Sequence, residues 1–251
     1  MVEEIIKKIL PIIFKAQSAN DDDLRLLRHG LFEILDKIGP KRFVTMAAEI
    51  LKNNFQIEGC NDVSMPLKLI FAIPLEELEE ELSKKEYNLP REHPLVILSE
   101  DHKDSIKKLK VLRFSLGGLN LNKETTPEAI NNKLKQVKDY YAELDLHIRK
   151  EEEMLFPVLE KNGMQEHPGN LREEHKGFRE LLSKIIEMFK DFTTEKFDLV
   201  IEEVRKSKER FITDISNHIF RETYIFYPAA LEFITDVNEW GIIKKGFKDI
   251  K

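Results

Sequence analysis

The sequence predicts an all-α protein, an up-down-up-down four-helix bundle preceded by a smaller helical domain. Three observations carry this. Apolar residues recur at three- and four-residue spacing along nearly the whole chain of 251 residues. No stretch alternates convincingly with period two, as a half-buried strand would. Glycine and proline, the residues that punctuate short elements, number only 10 each.

Taken in order, residues 1 to 89 read as four or five short helices forming an N-terminal domain. "EEIIKKILPIIFKA" is helical with Pro11 as a break or kink. "DDDLRLLRHGLFEILDKI" opens with acids suited to the positive end of a helix dipole and stops at Gly39-Pro40. "KRFVTMAAEILKNN" follows, then the acidic "IPLEELEEELSKK", expected to be short and solvated. His29 is expected as a surface or cap residue, and Cys60 as a small buried apolar residue. The polar stretch "KEYNLPREHP", with two prolines, marks a domain boundary.

The second domain, residues 92 to 235, holds four longer helices. Helix A spans about 94 to 116 and ends at Gly117-Gly118. Helix B starts with Thr126 as N-cap and Pro127 in the first turn, and stops near Asn162-Gly163. Helix C runs from about 168 to 190, and helix D from "TTEKFD" to about 234. Short connections between long helices favour antiparallel neighbours. Residues 236 to 251 form a tail, with Trp240 tucked onto the bundle.

Composition removes several classes of function. Lys+Arg 40 against Asp+Glu 46 gives a net charge of -6, which does not favour a phosphate backbone, so nucleic acid is not an expected partner. No apolar run approaches the length of a membrane span, and the acidic, short-runned N-terminus does not resemble a secretory signal. A single cysteine leaves neither a disulfide framework nor a CxxC zinc site. The expectation is a cytoplasmic protein.

One line is written twice. "HIRKEEEMLFP" and "HIFRETYIFYP" both place Glu four residues after His and an aromatic-Pro pair ending ten residues after it. Each is preceded by a matching helix, "EDHKDSIKKL" for the first and "EEHKGFRELL" for the second. The chain therefore repeats a helical hairpin: His102, then His147 and Glu151; His175, then His218 and Glu222. With 46 acids in the chain a single His-x-x-x-Glu is weak evidence; two copies with matching flanks are strong.

His at i and Glu at i+4 share a helix face. Lone histidines on helices A and C can face them across a bundle whose axes are roughly 8 to 10 Å apart. Four imidazoles and two carboxylates are too polar for a dry core unless something pairs them. Two divalent cations would do so, each taking two histidines, with the carboxylates bridging. Imidazole and carboxylate without thiolate suit iron, with manganese or zinc as alternatives. The H-E-x-x-H of zincins is absent, and here His precedes Glu, unlike the Glu-x-x-His of ferritin-like sites.

Other polar residues near the repeat have two readings each. Glu143 and Asp214, one turn before His147 and His218, are either acceptors for ligand N–H groups or a solvated face, the second being favoured. Glu152 and Glu153 read as solvated. Tyr140, Tyr141, Tyr224 and Phe178 read as packing residues, and His93 and His167, each before a proline, as helix-entrance residues. Pro157 and Pro228 read as a helix end or tolerated kink in preference to a distortion that shapes the site.

Residues 93 to 233, through "HPLVILSEDH", "HIRKEEEMLFP", "EEHKGFRELL" and "HIFRETYIFYP", resemble the hemerythrin-like HHE cation-binding domain. The resemblance implies His102, His147, Glu151, His175, His218 and Glu222 as ligands of an oxo- or hydroxo-bridged di-iron centre, and O2 or NO as the small partner. Oxygen-carrying members have a fifth His one turn before the helix C ligand, where this chain has Leu171, and an Asp five residues after the last His, where it has Thr223. Four His and two Glu resemble the iron-centre-repair group instead, implying a role in nitrosative or oxidative stress. The alternative is a di-iron gas or iron sensor signalling to a protein partner through the N-terminal helical domain.

Overall fold

In the computed structural model, residues 15–16, 18–52, 70–117, 126–190 and 197–250 are described. The helix expected around Pro11, the surroundings of Cys60, Gly118 and the first residues of "TTEKFD" lie outside them. Ten α-helices occur among the described residues: α1 Asp21–Ile38, α2 Pro40–Lys52, α3 Leu75–Lys84, α4 Pro94–Gly117, α5 Pro127–Arg149, α6 Phe156–Lys161, α7 Glu166–Lys190, α8 Phe197–Arg221, α9 Tyr227–Phe233 and α10 Val237–Phe247. There is no strand among them, and no helix is long and apolar enough to cross a membrane.

Local signals set the helix ends. Asn20 and Asp23 close a reciprocal capping box on α1. Gly39, at φ 82, turns the chain where a side chain would be strained, and Pro40 opens α2 at once. Thr126 caps α5 through Ala129 N, with Pro127 in the first turn. Gly163, at φ 94, ends α6.

The bundle closes as a ring. Helix α4 packs on α5, α5 on α7, α7 on α8, and α8 back on α4. That is the up-down-up-down arrangement. Its middle layer is aromatic: Phe211, 2% exposed, lies edge-on to both Tyr140 (5.9 Å) and Phe178 (6.0 Å).

The second and fourth rods are each interrupted by a π-helical turn, Lys150–Leu155 and Glu222–Phe226. Phe156 N–H reaches back to Glu151 O, and Tyr227 N–H to Glu222 O, both five residues away. The next residue in each case is Pro157 or Pro228, which has no N–H to restore the regular ladder. The two prolines thus accompany a distortion inside a continuing rod; they do not end it.

The N-terminal helices pack on the outside of this ring. Phe32 of α1 is edge-on to Phe220 (5.7 Å) and Tyr224 (5.9 Å) of the fourth rod. Arg28 is buried; its guanidinium donates to Ile70 O at 2.9 Å, to Ala72 O and to Glu77, holding the strap before α3. Helix α3 is less solvated than its acidic sequence suggests: Leu75, Leu78 and Leu82 are buried against α4 and α8. Helix α2 touches the second π-helical turn. At the far end, α10 packs on the first π-helical turn. Gly246 there admits the Met154 side chain into space that a Cβ would occupy, and Trp240 donates to Ile234 O and packs on His93.

Candidate metal centre

Helical phase delivers the six repeat residues to one place. His102 comes from α4, His147 from α5, His175 from α7 and His218 from α8; Glu151 and Glu222 lie at the starts of the two π-helical turns, second and first residue respectively. All six are buried, both glutamates completely. His102 Nε2 lies 3.1 Å from His147 Nε2, and His175 Nε2 lies 3.1 Å from His218 Nε2. Glu222 spans the two pairs, with Oε2 3.1 Å from His102 Nε2 and Oε1 3.1 Å from His218 Nε2. Glu151 Oε2 sits 3.4 Å from His175 Nε2 and 3.6 Å from His147 Nε2.

The outer nitrogens are held by a ring that the sequence reading missed. His147 Nδ1 faces Asp101 at 3.4 Å, His175 Nδ1 faces Glu152 at 2.9 Å, and His218 Nδ1 faces Glu174 at 2.8 Å. An ionised carboxylate only accepts, so these three rings carry a proton on Nδ1 and present Nε2 to the interior. His102 Nδ1 instead meets the Thr223 hydroxyl at 3.1 Å. A cation backs each acid: Lys150 on Asp101, Arg179 on Glu152, Arg221 on Glu174.

The repeat accounts for this wiring. The acid just before each lone His (Asp101, Glu174) serves the His of the following rod. The residue just after each inner Glu (Glu152, Thr223) serves the lone His of the other hairpin. The aromatic before each proline stacks on that same ring: Phe156 on His175 at 5.8 Å, Tyr227 on His102 at 5.4 Å. The "acid-His-Lys" part of the signal was visible in the sequence, but its partner lies on another helix.

Charge follows burial and these contacts. Burial raises the Glu174 carboxyl, but His218 and Arg221 outweigh it and hold the group down at about 2. Burial lowers His147 to about 4 despite Asp101. Burial opposes charge on His218 too, yet Glu222 and Glu174 raise it to about 9. Burial, with Glu222 beside it, pushes Glu151 well above the carboxylate range.

The donor set fits metal ions. Four Nε2 atoms converge with two carboxylates, and Glu151 Oε2 and Glu222 Oε1 are buried without a hydrogen-bond partner. Two groups of donor atoms each lie within 4.8 Å of one another and could hold an ion: Glu151, His175, His218 and Glu222; and His102, His147 and Glu222.

The remaining candidates lie elsewhere. Glu143 pairs with Lys108 and Asp214 with Arg210, both half-exposed, which is the solvated reading. Glu152 corrects the reading of it as solvated. His93 accepts from Leu95 N at a helix entrance, His167 faces Val44 O at 2.7 Å, and His29 is exposed. Tyr140 pairs with Ser105 at 2.9 Å and Tyr224 donates to Glu81 O at 3.0 Å; Phe178 packs on His218 at 5.0 Å.

Exchanging Glu174 for Gln tests the outer ring. The neutral amide keeps the shape but no longer demands Nδ1–H on His218. Metal affinity is expected to fall about 10- to 100-fold, read by competition with a chromophoric chelator; unchanged affinity would remove Glu174 from the centre's design.

Comparison with known proteins agrees with the geometry. The model of the hemerythrin HHE cation-binding domain matches residues 93–230, a span containing all six inward residues and the whole outer ring. No curated protein matches the chain.

Proposed function

The chain belongs to the hemerythrin HHE cation-binding family, and from that premise we propose that His102, His147, Glu151, His175, His218 and Glu222 hold two iron ions whose work is to react with, or sense, O2 or NO. The observation that carries this reading is a pair of oxygens with no hydrogen-bond partner, Glu151 Oε2 and Glu222 Oε1, buried among four Nε2 atoms. Manganese or zinc satisfies the same donors less characteristically.

When bound, ferrous ions supply electrons and open coordination positions to a diatomic. The rest is the work of the chain. Asp101, Glu152 and Glu174 fix three imidazoles with Nε2 inward. Phe156, Phe178 and Tyr227 wall the histidines with rings and keep bulk water out. A cavity of about 190 Å³ lined by Asp101, Ser105, Lys108, Tyr140 and Lys150 reaches His102, His147 and His218, a size suited to small molecules. A role in iron-centre repair or nitrosative and oxidative stress is consistent with a four-His, two-Glu set.

A second reading, a sensor without turnover, has its own support. Helix α2 touches the second π-helical turn. A larger cavity of about 930 Å³ runs between residues such as Leu31, Phe43 and Met46 of the N-terminal helices and Phe178, Phe226 and Glu222 of the bundle. A change at Glu222 thus has a route to residues 1–89, which we take as a separate helical domain ahead of the bundle at 92–235 and the C-terminal segment at 236–251.

Anaerobic expression followed by metal analysis tests the reading. About two irons per chain, and a near-ultraviolet charge-transfer band after exposure to air, are expected; a metal-free protein that binds no iron on reconstitution would end it. NO consumption with a reductant then favours turnover, and its absence in the loaded protein favours the sensor.

A further inference from the structure

The two hairpins share their wiring, but two differences in what touches the lone histidines fall at the same end. Where the first hairpin has Phe156 against His175, the second has Tyr227 against His102. Where the first has Glu152 behind His175, the second has Thr223 behind His102. Tyr227 is fully buried, and its hydroxyl is a polar atom that its Phe counterpart lacks. It donates to Glu151 Oε1 at 2.8 Å and lies 3.3 Å from His102 Nε2.

That one hydrogen bond divides the two glutamates. Glu222 has one oxygen toward each histidine pair. Glu151 has Oε2 toward the pairs and Oε1 on the phenol. The donor groups differ accordingly among the described residues: the His175–His218 end gathers both carboxylates, and the His102–His147 end gathers Glu222, with Glu151 Oε2 3.6 Å from His147 Nε2 but outside that group. The outer ring points the same way. Acids stand behind both His175 and His218, whereas of His102 and His147 only the latter has one. Hard divalent cations follow carboxylate charge, and outer partners of ligating histidines tune affinity.

We propose that the Tyr227 hydroxyl ranks the two metal positions, holding Glu151 Oε1 so that the His175–His218 position fills first and the His102–His147 position binds its ion more loosely. This rests on the reading of the six residues as a two-metal site. Tyr227 acts here as a positioning residue, through Glu151. The arrangement makes one position a retained ion and the other an exchangeable one, at the end that the smaller cavity reaches most directly.

The test is an anaerobic titration of metal-free protein with Co(II), followed by calorimetry and visible absorption. The native chain is expected to show two steps whose dissociation constants differ about tenfold or more, the lower end of what an outer partner contributes. His218→Ala is expected to remove the tight step and His102→Ala the loose one. Tyr227→Phe keeps the ring on His102 and copies Phe156, so the second step should tighten and the ratio fall below about threefold.

Two equal steps in the native chain, or an unchanged ratio in Tyr227→Phe, overturn the ranking while leaving the two-metal reading intact. So does a visible phenolate-to-iron band in the ferric protein that Tyr227→Phe abolishes, because the phenol would then sit on the metal and not on Glu151. Absence of any Co(II) binding would overturn both.

Discussion

Glu222→Ala empties both metal positions. Its two oxygens face the two histidine pairs at 3.1 Å each, and among the described residues no other carboxylate is divided between them in this way. Metal analysis of the variant, purified beside the native chain, should fall from about two ions per chain to well under one. The native protein should gain about 4 kcal/mol of stability at a free metal concentration a thousandfold above the dissociation constant, and the variant essentially none. Thermal unfolding with and without added Fe(II) reads that difference. Retention of two ions by Glu222→Ala would disprove its place in the site, whatever the family implies.

The largest effect on folding should come from one layer away. Phe211→Ala is expected to cost about 3–5 kcal/mol, since Phe211 is 2% exposed and a truncated aromatic leaves a cavity that a packed bundle fills poorly. Its ring separates Tyr140 from Phe178, and Phe178 in turn supports the face of His218. None of the inward-facing donor atoms belongs to it. Urea unfolding of the metal-free protein should show the loss, while metal content at saturation stays near two ions. Together the variants separate the stability of the bundle from the occupancy of its centre. A loss below about 1 kcal/mol would show that this layer is not the tight core its burial indicates.

Most of the bundle was legible because its signals are local. Thr126-Pro127, Gly39-Pro40 and Asn162-Gly163 act on the backbone within a turn of themselves, and the helices begin and end where those residues stand. Position i+4 on a helix faces position i whatever the rest of the chain does, so the four histidines and two glutamates could be named from spacing and repetition.

The outer ring was not legible in the same way. Asp101, Glu152 and Glu174 look like ordinary members of acidic runs. Each acquires its histidine only when two helices cross in one register, with contacts 23 to 46 residues apart along the chain. The π-helical turns were hidden for a related reason. A proline after an aromatic residue reads as a helix end, yet here burial of Glu151, Phe156, Glu222 and Tyr227 keeps each rod going through the missing hydrogen bond. Helix α3 was misjudged because three leucines among many acids do not announce a partner, and α4 and α8 provide one.

The sequence by itself determined that this chain makes helices, where they cap and break, and that two hairpins each bring a His, then a His and a Glu, to one face. These follow from backbone geometry and short-range chemistry, which need no partner. Only the tertiary structure decided which imidazole meets which carboxylate, that Tyr227 takes one oxygen of Glu151, and that two oxygens end up buried without hydrogen. Those depend on the angle and register at which rods pack, and that is settled by the interlocking of side chains far apart in the chain.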